Sequence, residues 1–587
     1  MPETSESESA ASIEFRKFLA RDWEAWLDDA PELATAVGAP GRNDRWNDDS
    51  PAGIAARRHH LAEVGAQLDR FDPARLSPGE RLNHDLYREL FDTTEAGLDF
   101  GIDPFPFRMG SPHNLWMPVN LMEGVHLAAA DVGEIAPRAS VRDYEDLLAR
   151  FAAFPTAVDR NLALLVAGQA RGYTAPRPTL AGIPDQITAQ IPDDPKASPI
   201  LKPFEEFPDS IPVADRARLL ARAIELYRTA IVPALTKIRE YLAGTYIPAA
   251  RESVGASALP RGAEFYAYLV RWTTTTDLTP QQVHDIGLAE VRRLRGEMDR
   301  LIESTGFQGS FAEFHHFLRT DPQFFYHAPE ELLDGYRVIA KRIDPNLSRL
   351  FGRLPRLPYG VQEMPEYRAR NAPGAYYQPG APATGRAGYF FANTHKVEVR
   401  PKWEMEALTL HEAVPGHHLQ IALAQEPEGL PEFRRQTGYT AFVEGWGLYA
   451  ESLGEELGLY RDPYSKFGQL TYDAWRSIRL VVDTGMHALG WSRDQAIQFF
   501  RENSGKSDTE IRVEVDRYIG WPGQALAYKI GQLKFRELRT RAVQRLKDRF
   551  DVRAFHDLLL GEGALPLGLV SERVDRWIES RLDGRRS

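Results

Sequence analysis

Apolar residues recur at three- and four-residue steps along most of this chain. From Ile13 onward, Phe15, Leu19, Trp23 and Trp26 mark one face of a helix. The same period runs through roughly 141–172, 213–242, 280–304 and 330–351. Helix-start signals agree with it. Ser77, Pro78 and Glu80 place a cap, a first-turn proline and a reciprocal acid in order, and Thr279 with Gln282, Ser492 with Gln495 and Ser507 with Glu510 repeat the device. No repeat of fixed length is visible. The pattern predicts a mostly α-helical protein.

Period-two alternation is confined to one region. Ala375 to Gln378 and Gly388 to Asn393 are rich in aromatic residues, with a Gly/Pro/Ala-rich turn between them, and His395 to Arg400 alternates polar and apolar. A small β-sheet is predicted there, just ahead of a histidine-rich helix. An edge strand in that place can pair with the backbone of an extended ligand, with Tyr389 and Asn393 as candidate substrate contacts. Residues 174–212, rich in Pro and Asp, read as an extended connection, either a hinge or flap or a plain surface loop. Residues 1–12 read as a disordered tail, 13–260 as an N-terminal helical lobe and 261–587 as a catalytic lobe.

Composition narrows the function. A chain of 587 residues exceeds one simple core and allows two or more lobes. A net charge of −12 argues against nucleic-acid or anionic-membrane partners, which need a basic face. There is no cysteine, so thiolate ligands and disulfides are excluded, and any zinc must be held by histidine and carboxylate. With no apolar leader and no long apolar run, the expected location is cytoplasmic.

The chemistry concentrates in Leu408 to Ala422, which holds His411, Glu412, His417 and His418. A His-Glu pair followed by another His is how zinc hydrolases assemble a metal and its general base. The usual second histidine lies at i+4, where this chain has Pro415. On a straight helix, i and i+6 stand about 9 Å apart along the axis and cannot share an ion. Pro415 lacks the N–H that would bond the His411 carbonyl, and Gly416 permits unusual backbone angles. A break there predicts His411 and His417 as ligands and Glu412 as base. His418 at i+7 is the competing ligand.

A third ligand is needed, with one position left open. Glu444 lies among Phe442, Val443, Trp446 and Leu448, where an unpaired carboxylate is costly. A metal would serve it; an ion pair with Arg434 or Arg435 is the alternative. Glu451, two turns on, suits holding a ligand histidine in orientation. Downstream, Asp483 and His487 share a helix face, Tyr528 follows a Pro-Gly turn, and Arg517 suits a substrate carboxylate. His487 and Tyr528 are candidate oxyanion donors. Ser504 to Ser507 resembles the end of a phosphate loop, but Phe500 stands where that motif needs glycine, so no nucleotide site is expected.

HEAVPGHHLQ followed by FVEGWGLYAE resembles the bacterial "domain of unknown function 885" family, as do the segments Trp272 to Val291, Arg479 to Ile497 and Tyr518 to Gly531. That family is placed with helical zinc metallopeptidases such as carboxypeptidase Taq and the thimet oligopeptidases. The resemblance implies a two-lobed helical fold with a deep cleft, ligands His411, His417 and Glu444, and Glu412 as base. The resulting expectation is a zinc-dependent hydrolase (Mn2+ or Co2+ in place of Zn2+ being the alternatives) cleaving short peptides by metal-activated water. An amide or lactam hydrolase of a small metabolite and a helical binding protein without catalysis are the other readings, and the intact Glu412 argues against the last.

Overall fold

The structure is a computed structural model describing residues 9–107, 110–365, 374–381 and 385–584. The expected disordered tail lies outside these residues up to position 8, and so does part of the turn expected between the aromatic strands. The remainder of that tail is ordered. Ser9 caps α1 (Ala10–Asp29) by accepting the Ser12 N–H, and Ser12 is buried. The chain divides into two units: residues 1–268 with 431–436, and residues 269–430 with 437–587.

In the first unit, α1 buries Phe15, Leu19, Trp23 and Trp26, the face its periodicity marks. It is followed by α2 (Pro51–Leu68) and α3 (Pro78–Gly97), the latter capped by Ser77. Phe433 sets its ring edge-on to Tyr87 of α3, with centroids 4.8 Å apart. The long helix α4 (Val141–Ala170) opens with a reciprocal cap between Ser140 and Asp143. The periodic stretch after Val213 is helical but not uniform. A π-type turn over Tyr227–Ile231 separates α5 (Val213–Leu226) from α6 (Val232–Tyr241). Pro233 lies just beyond that turn, lacks an N–H and crowds the carbonyl four residues back; the wider turn accommodates it.

Residues 174–212 correct the expectation of an extended connection. They contain a helix, Ile183–Gln190, and short 3-10 turns. Leu180, Ile183, Ile187, Ile200, Leu201 and Phe204 are buried in the main core of this unit. The prolines set the turns while the isolated apolar residues between them fill the core.

In the second unit, α7 (Pro280–Ser304) precedes α8 (Pro329–Ile343) and a three-stranded sheet. The sheet has the order β1 (Tyr359–Glu363), β3 (Gly388–Ala392), β2 (Ala375–Gln378), with β1 parallel and β2 antiparallel to β3. The alternation over 395–400 is not a strand. Lys396 adopts φ 56° and Val397–Val399 form one 3-10 turn, with Val399 exposed. Alternation without a pairing partner does not hold a strand.

Next come α9 (Met405–Glu412), α10 (His417–Ala424), α11 (Thr440–Ser452), α12 (Pro463–His487), α13 (Asp508–Gly520) and α14 (Ala527–Leu546). Two close helix approaches set the frame. A Cβ on Gly287 of α7 would stand 2.7 Å from Leu480 Cβ of α12, and one on Gly445 of α11 would stand 2.5 Å from Gly531 Cα of α14. Only glycine lets these backbones come so near. Among the described residues no helix is long and apolar enough to cross a membrane.

Candidate metal centre

The helix carrying His411 ends at Glu412, and a new one starts at His417. Residues 413–416 between them are irregular, and the Val414–Pro415 peptide is cis. Gly416 is required there, because a Cβ would overlap the His411 carbonyl oxygen. The Pro415 carbonyl, cut out of the helical ladder, accepts the indole N–H of Trp446 at 2.8 Å. The break thus brings the two imidazoles together, edge to face with centroids 4.7 Å apart.

Glu444 of α11 meets both rings. Its Oε2 lies 3.4 Å from His411 Nε2 and 3.6 Å from His417 Nε2. The donor atoms of His411, His417 and Glu444 all lie within 4.8 Å of one another. Ligands bound about 2.1 Å from a common zinc at tetrahedral angles stand about 3.4 Å apart. The donor set therefore fits a divalent cation in both spacing and chemistry. Electrostatics agree. Burial alone would push the Glu444 carboxyl up, but His411 and His417 hold it well below the usual carboxylate range.

The same helix supports His411 from two further positions. Glu451, fully buried, accepts from His411 Nδ1 at 2.8 Å, which leaves Nε2 directed at Glu444. Gly447 is the floor on which the ring lies; a Cβ there would stand 2.7 Å from His411 Cε1. Burial disfavours a charged His411, yet Glu444 and Glu451 outweigh it and raise the ring to about 9. His417 lacks comparable support: its Nδ1 is buried with no hydrogen-bond partner among the described residues. Glu412 is half-buried at the end of α9, next to His411.

His418 faces the sheet instead. Its Nδ1 pairs with the Tyr377 hydroxyl of β2 at 2.9 Å and its Nε2 with the Leu357 carbonyl at 3.1 Å. Burial lowers it to about 4, which keeps it neutral and suited to that bridge. The i+7 alternative is thereby spent on structure.

The other candidates separate into two groups. Tyr528 is half-buried, and its phenol is pushed up by burial and by the charge of Glu444. Arg517 donates to Gln524 at 2.8 Å and to Glu514 at 3.0 Å. Arg479 links the two, standing 4.7 Å from the Tyr528 ring centroid and sharing Glu514 with Arg517.

His487, Asn393 and Tyr389 have other neighbours. His487 is fully buried with Nε2 on the Tyr518 carbonyl at 3.0 Å, while Asp483 takes the Gly523 N–H at 3.0 Å. The two tie α12 to the segment ahead of Tyr528, so His487 presents no open face to a substrate. Asn393 is 1 % exposed, and its side-chain oxygen accepts the His395 N–H at 3.0 Å to close a turn. Tyr389 sits on the central strand, whose backbone is paired on both sides, so that strand has no edge to offer a ligand.

A helical frame and a His-His-Glu cluster, with the two histidines on a broken helix and the glutamate on α11, define the class of protein. Over residues 31–574 the chain matches the family described as bacterial protein of unknown function, DUF885, and it belongs to that family. No curated protein is a significant match. Two solved structures are similar throughout. A crystal structure described as a "putative lipoprotein" from Colwellia psychrerythraea has 27% identity and a TM-score of 0.90, over 97% of this chain and 100% of that one. A "putative lipoprotein of unknown function" from Shewanella oneidensis has 18% identity and a TM-score of 0.72, over 95% and 99%, and shows the shared fold alone.

Proposed function

We propose that this chain is a metal-dependent hydrolase, with zinc as the ion its donors suit best, and that it cleaves amide bonds of short peptides. The observation that carries this reading is the 3.4 and 3.6 Å spacing of Glu444 from two imidazole nitrogens, with Glu412 following His411 in the chain. Two histidines and one carboxylate suit Zn2+, with Mn2+ or Co2+ as substitutes. The same ligand types occur in the helical zinc metallopeptidases that the motif resembles, and this supports the relation.

When bound, the ion supplies a Lewis acid that polarises a carbonyl and acidifies a water. The protein's own residues do the rest. Glu412 takes the proton of the attacking water and returns it to the leaving amine nitrogen. Tyr528, kept protonated by burial and by Glu444, donates its O–H to the carbonyl oxygen as negative charge develops there. Glu451 fixes the His411 ring by holding Nδ1–H.

The test is metal content by elemental analysis together with turnover of a peptide library. Glu412→Gln is expected to keep its zinc and to lose turnover by about 10²- to 10⁴-fold. If that variant retains both zinc and near-native turnover, the hydrolase reading fails.

A further inference from the structure

Beside Tyr528, two guanidinium groups share one carboxylate. Glu514 Oε2 accepts from Arg517 at 3.0 Å, from Arg479 at 3.3 Å and from the Tyr518 hydroxyl at 2.5 Å. One negative charge between two permanent positive charges leaves one positive charge unmatched. The nearby acids are engaged with other cations: Glu451 holds His411 at 2.8 Å and lies 3.9 Å from Arg476, and Glu510 lies 3.1 Å from Arg319 and 3.4 Å from Lys506. They leave the surplus on the Arg479–Arg517 pair. Arg479 also keeps a buried donor, Nη1, without a partner among the described residues. Burying uncompensated charge is costly, and a ligand that brings an anion relieves that cost.

The pair lies next to the candidate metal centre. Arg479 stands over the Tyr528 ring, 4.7 Å from its centroid. Arg517 donates to Gln524, one turn before Tyr528. The close approach of Gly445 and Gly531 sets Glu444 and Tyr528 on the two helices that touch there, Glu444 adjoining the contact and Tyr528 one turn ahead of it. Arg476 stands 6.0 Å from the same ring centroid and 3.9 Å from Glu451, the partner of His411, and the charges of Glu444, Arg479 and Arg517 all act on the Tyr528 phenol. Arg517 keeps 16 % of its side chain exposed and Arg479 only 6 %, so Arg517 is the accessible member and Arg479 lies behind it.

We propose that the site recognises peptides by a free C-terminal carboxylate, received by Arg517 with Arg479 behind it, so that cleavage is directed to the carboxyl end. This inference rests on the hydrolase reading above. The planar fork of a guanidinium matches a carboxylate, and the charged pair makes a stronger bond than neutral partners do. A C-terminal amide brings no charge and turns its own N–H donors toward guanidinium donors.

The experiment uses a randomised tetrapeptide pool made in two forms, free acid and C-terminal amide. Turnover by the zinc-loaded enzyme is read by mass spectrometry. Binding is read by affinity selection on zinc-loaded Glu412→Gln, which removes turnover from the comparison. The free-acid pool is expected to be retained and cleaved at least tenfold better, and Arg517→Gln is expected to reduce that preference to less than threefold. Arg517→Lys, which keeps the charge, is expected to restore part of it. Turnover of both pools without preference overturns the carboxylate site and leaves the hydrolase reading standing. Selective retention of the free acid without turnover by the zinc-loaded wild type supports the carboxylate site and sinks the hydrolase reading. Retention of neither pool overturns the carboxylate site.

Discussion

The indole N–H of Trp446 holds the Pro415 carbonyl at 2.8 Å, and through it holds the break that lets His411 and His417 face one Glu444. Trp446 is fully buried and packs on Phe535 and His556, so its ring fills space while its N–H does a separate task. Trp446→Phe separates the two. It keeps most of the volume and leaves a buried carbonyl unsatisfied, at a cost of about 1–3 kcal/mol. Zinc affinity is expected to fall about tenfold or more, since supports of this kind typically carry 10- to 100-fold. Zinc titration and urea unfolding of the metal-free protein measure the two effects. Unchanged zinc affinity would show that the break holds itself.

Gly447→Ala tests the other support. Alanine favours a helix interior over glycine by about 1 kcal/mol. Its methyl group, however, would stand 2.7 Å from His411 Cε1 and 2.9 Å from Nε2. The ring must move, and the donor geometry moves with it. Expected is a metal-free protein within about 2 kcal/mol of wild type, as overpacking costs of 1–3 kcal/mol are partly offset by helix propensity. Zinc binding is expected to be weakened strongly. A variant that binds zinc normally would mean that the ring has room the structure does not show.

Much of the candidate metal centre was legible because its signals are local. Pro415 and Gly416 announce a break, and a glutamate among Phe442, Trp446 and Leu448 announces a buried partner. The long helices were legible for the same reason, their period being written along the chain. What escaped depends on tertiary contact. The spacing favoured His417 over His418, but what engages the His418 ring instead, Tyr377 and the Leu357 carbonyl, lies far off in sequence. Gly447 and Trp446 stood in plain view, and a glycine inside a helix is itself a sign of close approach, but their partners lie on another segment. His487 had the spacing of an oriented imidazole; its carbonyl partner at Tyr518 made it a brace.

The two adjacent histidines make opposite expectations. His417→Ala removes a donor from the cluster and is expected to abolish tight zinc binding; it also takes from Glu444 one of the two imidazoles that hold its carboxyl low, so metal-free stability is expected to fall as well. His418→Ala breaks two buried hydrogen bonds to the sheet and is expected to cost about 2–4 kcal/mol, at roughly 1–2 kcal/mol per bond. It is expected to keep one zinc per chain. Elemental analysis and thermal unfolding of both variants decide the matter. Zinc loss in His418→Ala with His417→Ala still loaded would exchange their roles.

The pH dependence of zinc binding follows from His411. In the metal-free protein, burial works against its charge, but Glu444 and Glu451 prevail and raise it from 6.5 to about 9. A raised histidine stabilises the folded state fully below the unfolded value and loses that contribution as pH rises through the folded one. Metal-free stability is therefore expected to decline between 6.5 and about 9. Zinc affinity runs the other way, since the metal must displace that proton. It is expected to keep climbing through this window rather than level off near 6.5. Glu451→Gln removes one of the charges that raise the ring, so its affinity is expected to level off at lower pH and to lie below wild type at the plateau, where the orienting acceptor is weaker. Chelator-buffered zinc titrations across the window supply the curves. A wild-type curve already flat above 6.5 would show that the two carboxylates do not hold His411 as the geometry implies.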